Sequence, residues 1–284
     1  MSSLADSSAV LVKKILPQHH TAITLLGGFL SAPDVAEIEW LDLACGKGQI
    51  ISQLEQNVPE PEQRAKIGYH AYDIENQHTR ISEKIARGLN FRGVRVEVGE
   101  MEHFEKIFPP QQRFSFISFT NTVHELRPAM IGSLLVALLL RLSDNGILYI
   151  YDMETLPLPE LGAVPWDGDD FKKLLAGIFA DLGCHAIPLL LVQRWEHTSC
   201  SGWSVNLHRN HLQISDDAIV ANSDKAINGA RTTIAQILTF RLQSTTEALE
   251  ALTRFGPDNE EEKRRTTKLL YDFWSLQRAL KQTV

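Results

Sequence analysis

Short apolar runs alternate with amphipathic segments over the first three quarters of the chain. Runs rich in β-branched and aromatic residues predict seven strands, at 38–44, 66–74, 94–98, 114–120, 146–152, 186–197 and 203–209. Apolar positions at helical spacing predict helices at 49–56, 77–89, 127–142 and 169–182. Because strands and helices alternate, we predict an α/β fold in which a mostly parallel sheet is covered by helices on both faces. The last two strands are joined by a short turn, so the final strand should be antiparallel.

The pattern changes near residue 214. From there onward it is helical on both sides of a break at 255–258, which predicts a C-terminal helical extension over 214–284. In the last predicted helix, 259–281, apolar residues at i, i+4, i+7 and i+11 form one stripe: Leu269, Phe273, Leu276 and Leu280. We expect this stripe to pack on the chain's own domain or on the preceding helix. A second copy of the chain or a different protein partner is the alternative.

Composition narrows the class of protein. With 44% hydrophobic and 22% charged residues, the 284-residue chain is typical of a folded protein with a sizeable core. The most apolar run, 131–142, is too short for the roughly 20 apolar residues that a membrane span needs. The chain does not begin with a secretory leader pattern and its three cysteines are scattered, so we expect a cytoplasmic protein.

The negative charge is unevenly distributed. Residues 213–284 hold ten Lys/Arg and ten Asp/Glu, so the formal net charge of −7 lies entirely on residues 1–212. Proteins that coat DNA or RNA usually carry a basic excess, because their affinity for phosphates comes largely from cation contacts and counterion release. The charge distribution therefore disfavours a nucleic acid partner.

A glycine-containing turn follows the first predicted strand, in the sequence Asp-Leu-Ala-Cys-Gly-Lys-Gly at 42–48. Glycine is needed where the backbone turns with positive φ or approaches a ligand closely. In open α/β sheets, nucleotide-like ligands bind beyond the carboxyl ends of the strands, which is where this turn lies. The dinucleotide fingerprint requires a third glycine at the position of Ile51, so this turn differs from that of nicotinamide-binding proteins.

Acidic residues end the next two strands as well. Asp73 closes the second predicted strand, where a carboxylate can accept both hydroxyl groups of a ribose. Glu100 follows the third strand and is placed to accept a hydrogen bond from an adenine amino group, while Met101 can lie against the ring. Each residue also has a simpler explanation, since strand-end acids cap helices and methionine packs in cores. Their combination with the glycine turn favours a binding site.

These residues, together with Phe-Thr-Asn-Thr-Val-His-Glu-Leu at 119–126, resemble the class I S-adenosylmethionine-dependent methyltransferases over roughly residues 38–210. The resemblance implies a Rossmann-like, seven-stranded sheet with an antiparallel last strand, and S-adenosylmethionine as the cofactor. It implies these cofactor-binding residues: Asp42, Ala44, Gly46 and Gly48 around the methionine part, Asp73 at the ribose, Glu100 and Met101 at the adenine, and also Ile74 and Asn121. Ala44 departs from the commonest glycine of this motif, and Glu100 departs from the more usual aspartate.

The resemblance also divides the chain. Residues 38–213 are predicted to form the methyltransferase domain, and residues 1–37 an N-terminal helical cap over the cofactor. In this cap, His19 and His20 either line the acceptor pocket or are two surface histidines. We favour the surface interpretation.

His124 and Asn121 are the candidate catalytic residues, at the end of the fourth predicted strand. His124 is a candidate general base, which is needed only if the acceptor must lose a proton. A local hydrogen bond at the start of a helix is the simpler explanation of this histidine. Residues 121–123 lack the Asn/Asp-Pro-Pro-aromatic motif of exocyclic-amine nucleic acid methyltransferases and the Pro-Cys nucleophile used at cytosine C5. A small molecule or a protein is therefore the predicted acceptor.

Four potential zinc ligands occur near the last two predicted strands: His197, Cys200, His208 and His211. Side chains at neighbouring strand positions point to opposite faces, so these four groups are not expected to converge. No metal is predicted. Two other functions remain open besides a methyltransferase. A methyltransferase-like protein that acts as a partner-binding or assembly module through its C-terminal helices is the first. An NAD(P)-dependent oxidoreductase is the second, and Ile51 argues against it.

Overall fold

Among the described residues, seven strands form one sheet. The computed structural model describes residues 17–33, 35–158, 160–184, 190–196, 200–256 and 259–283. The strands are β1 (Ile38–Leu43), β2 (Ile67–Asp73), β3 (Gly93–Val98), β4 (Phe114–Thr120), β5 (Leu142–Thr155), β6 (Val192–Glu196) and β7 (Ser201–His208). Their order is β3-β2-β1-β4-β5-β7-β6, and β7 is antiparallel to both of its neighbours. The other neighbouring pairs are parallel, so the predicted fold class is confirmed.

Helices cover both faces of the sheet. They are α1 (Pro17–Ser31), α2 (Leu54–Asn57), α3 (Pro61–Arg64), α4 (Asn76–Gly88), α5 (Phe104–Ile107), α6 (Pro128–Arg141), α7 (Gly168–Leu182), α8 (Asp216–Phe255) and α9 (Glu260–Thr283). Alternate side chains of β1 enter two cores. Trp40 packs with residues of α1 and α4, whereas Leu41 and Leu43 pack with residues of α6, α7 and α8. No described helix is long and apolar enough to cross a lipid bilayer.

Three elements differ from their sequence predictions by more than two residues. Strand β5 extends beyond the predicted 146–152 at both ends, because its ladders with β4 and β7 continue there. The helix predicted at 49–56 is wrong in extent: a 3-10 turn at Ile51–Gln53 precedes the one-turn α2, since the glycine turn occupies the residues before it. Of the strand predicted at 186–197, residues 190–196 are described, and β6 covers 192–196; residues 185–189 and 197–199 lie outside the described residues.

The two C-terminal helices pack against the sheet domain. Side chains of α8 that enter the core on the α6 and α7 side are Ile219, Ala226, Ala230, Ile234, Ile237 and Leu238. In α9, Leu276 is buried in the same core and Leu280 packs against it, which confirms the expected packing of the apolar stripe on the chain's own domain at these two positions. Helix α8 approaches α6 closely, because a Cβ atom built on Gly132 would lie 2.7 Å from Cβ of Ala230.

We predict that Gly132→Ala destabilises the protein by about 1–3 kcal/mol, because an added methyl group overpacks the α6–α8 contact. The matched control is Gly88→Ala, at an exposed helical position where a Cβ atom meets nothing within 4 Å. This control should stabilise by up to about 1 kcal/mol, because alanine has the higher helix propensity. Urea denaturation of both variants measures the difference. Equal stability changes at the two positions would contradict the close packing of α8 on α6.

Candidate active site

A cavity of about 740 Å³ opens at the carboxyl ends of β1, β2 and β4. The predicted cofactor-binding residues that line this first cavity are Asp42, Ala44, Gly46, Asp73, Ile74, Glu100, Met101 and Asn121. Gly48 is not among the lining residues. A Cβ atom there would lie 3.0 Å from the Ile51 side chain and 3.3 Å from Cα of Ser82, so Gly48 allows the turn to pack against α4.

The turn after β1 requires left-handed backbone at three positions. Ala44, Gly46 and Gly48 have φ angles of 59°, 52° and 78°. Glycine adopts these angles without steric cost, whereas alanine does so at a cost of roughly 1 kcal/mol. The cavity edge therefore includes a strained residue at Ala44. The Gly46 N–H group donates a hydrogen bond of 2.8 Å to Oδ2 of Asp73, which joins this turn to the end of β2.

Asp42 is buried beneath the glycine turn. Its carboxylate accepts hydrogen bonds from the Tyr69 hydroxyl at 2.8 Å and from the Ser118 hydroxyl at 2.6 Å. Burial raises the pKa of Asp42 to about 6, although these two hydrogen bonds act in the opposite direction. A cationic group bound in the cavity would favour the ionised carboxylate.

Asp73 orders the loop that follows β2. In addition to the bond from Gly46, its Oδ1 atom accepts a hydrogen bond of 2.9 Å from the Glu75 N–H group. Nδ1 of His78 lies 3.7 Å from the same oxygen. Ile74, between these polar residues, is 63% exposed, so it presents an apolar surface next to the Asp73 carboxylate.

The backbone after β3 is held close to β2. The Tyr72 hydroxyl donates a hydrogen bond of 2.5 Å to the carbonyl oxygen of Glu100, and a Cβ atom on Gly99 would lie 2.7 Å from that hydroxyl. Gly99 therefore allows the approach of Tyr72. This contact leaves the Glu100 side chain exposed at the cavity, with Met101 beside it.

Asn121 has a φ angle of 55° at the end of β4, and its N–H group donates to the carbonyl of Tyr151 at 2.9 Å. Asparagine tolerates left-handed backbone better than most residues, which is a structural reason for its presence here. The same turn brings the Asn121 side chain to the cavity between the ends of β4 and β5.

His124 is buried behind this turn and is not among the residues that line the first cavity. Its Nδ1 atom lies 2.5 Å from Oδ1 of Asp152, and its backbone N–H group donates to Oδ2 of the same carboxylate at 2.6 Å. Its Nε2 atom lies 3.5 Å from Glu160 and 3.8 Å from Glu125. Burial favours the neutral imidazole, but these carboxylates, Asp152 above all, raise the pKa of His124 to about 10. The protonated form is therefore favoured at neutral pH.

Sequence comparison finds a family that is similar to part of this chain. A family described as a methyltransferase domain matches residues 34–164, which include β1 to β5 and most of the residues that line the first cavity. No curated protein sequence matches the chain.

Solved structures similar to this methyltransferase domain share its fold at low sequence identity. Magnesium protoporphyrin IX methyltransferase (ChlM) from Synechocystis PCC 6803 with bound SAH is 10% identical, with a TM-score of 0.50 over 73% of this chain and 94% of that chain. DszA carbon methyltransferase is 16% identical, with a TM-score of 0.50 over 68% of this chain and 54% of that chain. For CurJ carbon methyltransferase the identity is 14%, the TM-score 0.49, and the coverage 66% of this chain and 53% of that chain. The chain thus spans about half the length of the CurJ and DszA chains.

Several lining residues of the methyltransferase domain were not predicted from the sequence: Cys45, Gln49, Glu75 and His78. Glu75 and His78 follow Asp73 closely in the sequence. Their nearness to this predicted site residue could have indicated that they line the cavity. The favoured surface interpretation is wrong for His19, which is buried and lines the cavity, while His20 is exposed. Burial lowers the pKa of His19 to about 4, so its imidazole is neutral at physiological pH. Helix α1 packs against the core on one face of the sheet, and this packing explains the burial of His19.

Among the described residues, potential metal ligands occur at two places. Cys200 precedes β7 and His208 ends it, so these two side chains lie at opposite ends of the strand, and His197 lies outside the described residues. Ligand atoms of His124, Glu125 and Glu160 lie within 4.8 Å of one another. Nδ1 of His124 lies 2.5 Å from Asp152, so its Nε2 atom is the nitrogen that faces the two glutamates.

We predict that Asp152→Asn destabilises the folded domain by about 3 kcal/mol at pH 7, because it leaves the buried His124 without its charged partner. In the wild type, the folded-state pKa of about 10 lies above the unfolded value of about 6.5. The stabilising contribution of protonated His124 is therefore complete below pH 6.5 and is lost as the pH rises through about 10. Urea denaturation at pH 6, 8 and 10 measures this loss.

The matched control is Glu83→Gln, which breaks the solvent-exposed pair between Glu83 and Arg87. Exposed pairs contribute at most about 1 kcal/mol, so this variant should retain the wild-type dependence on pH. A wild-type protein whose stability is unchanged between pH 6 and pH 10 would contradict the assigned charge state of His124.

Proposed function

We propose that this protein is a cytoplasmic enzyme that transfers a methyl group from S-adenosylmethionine to a small-molecule or protein acceptor. The observation that carries the proposal is the first cavity, where the glycine turn and three acidic side chains, Asp42, Asp73 and Glu100, meet at adjacent strand ends. Its volume of about 740 Å³ is within the range of small-molecule and cofactor sites. The deficit of Lys and Arg on residues 1–212 supports an acceptor other than a nucleic acid.

The residues present suit this cofactor chemically. Asp42 and Asp73 supply carboxylate oxygens toward the cavity, which favours the positive charge of a sulfonium and an ammonium group. Ile74 and Met101 offer apolar contacts for an adenine ring, and Glu100 an acceptor for its amino group. The left-handed backbone at Gly46 leaves no Cβ atom between the turn and the ligand.

Bound S-adenosylmethionine supplies an activated methyl group: the acceptor forms the new bond to the methyl carbon while the C–S bond breaks and its electron pair stays on sulfur. The protein has to align the acceptor with that bond and exclude water, and alignment alone can contribute several kcal/mol. Asn121 lines the cavity at the end of β4, next to the turn that carries His124. We propose that the ion pair between His124 and Asp152 fixes this turn.

His124 is still the candidate general base. Because it is paired with Asp152, its activity as a base would depend on pH. An imidazole with a pKa of about 10 accepts a proton only after it has lost its own. A general base would therefore give a rate that rises with pH toward 10. A positioning residue that acts as a cation would give a rate that is constant to about pH 9 and falls above it.

We predict that His124→Ala binds S-adenosylmethionine with unchanged affinity and loses methyl transfer by a factor of about 100 or more, whereas Asn121→Ala, at a position that lines the cavity, loses both cofactor affinity and methyl transfer. Transfer of labelled methyl groups into fractionated cell extract measures turnover, and calorimetry measures binding. The pH profile of the wild-type rate then separates the base from the positioning function. Unchanged methyl transfer by His124→Ala would remove both assignments.

We predict that the affinity for S-adenosylmethionine increases about tenfold from pH 5 to pH 7 and is constant above pH 7. Asp42 has a pKa of about 6, so its carboxylate is protonated at the lower pH and cannot attract the cationic ligand. Calorimetric titration with S-adenosylmethionine, S-adenosylhomocysteine and NAD at pH 5, 6, 7 and 8 is the measurement. In Asp42→Asn, affinity should be lower and independent of pH over this range. The absence of binding to either sulfur compound would refute the proposed function.

A further inference from the structure

The imidazole group of His19 faces the first cavity from helix α1. His19 lines this cavity, and only 3% of its surface is exposed. Three and four residues further along the helix, Ala22 and Ile23 continue the same face, and both are buried in the core. His19 therefore extends an apolar stripe by one turn, and it places a polar group where the stripe meets the cavity.

Helix α1 runs across one face of the sheet from the carboxyl ends of the strands to their amino ends. Near the end of α1, the carbonyl oxygen of Leu30 accepts a hydrogen bond of 3.4 Å from Nζ of Lys66, the residue that precedes β2. In the first turn of α1, His19 reaches the cavity beyond the carboxyl ends. The position of this imidazole is thus fixed by a helix that packs along the sheet.

The cavity has two ends, because β3 and β4 lie on opposite sides of β1 in the sheet. Glu100 and Met101 follow β3 and belong to the proposed adenine end. Residues 120–122 line the other end, where β4 adjoins β5. The side chain of Thr21, in the first turns of α1, interacts with the Tyr149 hydroxyl of β5. His19 is therefore on the β4–β5 side, away from the proposed adenine end.

The imidazole of His19 has no hydrogen bond or ion pair with any other residue that the structure describes. Burial alone lowers its pKa to about 4. At neutral pH the ring is therefore uncharged, and one of its nitrogens is a hydrogen-bond acceptor. A buried polar group without a partner is costly, so a ligand that donates a hydrogen bond to this nitrogen would gain affinity.

The histidines near β4 and β5 differ in access and in charge. His124 does not line the cavity, and its carboxylate partners raise its pKa to about 10. His19 lines the cavity and is neutral. At neutral pH, His19 is consequently the one of these two imidazoles that can accept a proton from a molecule bound in the cavity.

We propose that His19 accepts a hydrogen bond from the hydroxyl group of a small-molecule methyl acceptor and then takes its proton, so that this protein is an O-methyltransferase. The acceptor oxygen forms the new bond to the methyl carbon while the C–S bond breaks and its electron pair stays on sulfur. The hydroxyl proton passes to the free ring nitrogen of His19 and from there to water. This inference rests on the proposed methyltransferase function.

The weak basicity of His19 favours an oxygen over an amine nitrogen as the acceptor atom. An alkylammonium group has a pKa of about 10, so an imidazole with a pKa of about 4 does not deprotonate it. A hydroxyl group becomes strongly acidic while its oxygen bonds to the methyl carbon, so a weak base is sufficient to remove the proton. Ile50, Leu126 and Met130 also line the cavity, and their apolar side chains suit an uncharged acceptor.

The acceptor atom is tested with S-adenosylmethionine that carries ¹³C in its methyl group. The full chain is incubated with this compound and with the small-molecule and protein fractions of cell extract. The ¹³C chemical shift of the product distinguishes a methyl group on oxygen from one on nitrogen, sulfur or carbon. We expect an oxygen-bound methyl group in the small-molecule fraction.

Three variants test His19 itself. His19→Leu should bind S-adenosylmethionine with an affinity within about twofold of the wild type and lose methyl transfer by a factor of about 100. His19→Gln, which keeps a hydrogen-bond acceptor, should lose less. The matched control is His20→Leu, at the exposed neighbouring position, which should transfer methyl groups like the wild type. Because leucine continues the apolar stripe of α1, His19→Leu should not lower the midpoint of thermal unfolding.

Failure of this inference is distinguishable from failure of the proposed function. A methyl group on nitrogen, sulfur or carbon, a product in the protein fraction, or equal rates for His19→Leu and His20→Leu would overturn the assignment of His19 and leave the methyltransferase function intact. If neither sulfur compound binds, or if no methyl group is transferred to either fraction, the proposed function itself fails.

Discussion

Three carboxylates are buried at the edge of the sheet where the parallel strands end, and each has to be stabilised without bulk water. Asp42 accepts hydrogen bonds from hydroxyl groups on the two neighbouring strands. Asp73 accepts N–H groups from the glycine turn and from its own loop. Asp152 is paired with His124. Because each partner lies on a different segment, burial of these charges also fixes the positions of the loops that surround the first cavity.

The backbone of these loops is as constrained as their charges. Ala44 and Asn121 both have left-handed φ angles, one after β1 and the other after β4. Asparagine tolerates such angles, whereas alanine is strained by them. The strain at Ala44 persists because the next residue is hydrogen-bonded to β2, through the Cys45 N–H group and the Tyr72 carbonyl. The cavity edge is therefore held in place by the sheet and does not depend on the local preference of the turn.

The C-terminal helices pack on the sheet domain mainly through apolar side chains. Their apolar side chains extend the core that lies on the α6 and α7 side of the sheet. Close packing of apolar groups is sufficient to explain these residues. Arg241 of α8 differs from these residues: it is half-buried, and its Nη1 atom has no hydrogen-bond partner among the described residues.

The sequence by itself determined the fold class and eight of the residues at the first cavity, from Asp42 to Asn121. Strand and helix periods are local properties, and parallel strands bring their carboxyl ends to one edge, so residues far apart in sequence could be assigned to one site. Only the tertiary structure decided the raised pKa of His124, the burial of His19 and the lack of a hydrogen-bond partner at Nη1 of Arg241 among the described residues. Solvation and electrostatic partners depend on segments that are distant in sequence, and no periodicity records which of those segments will meet.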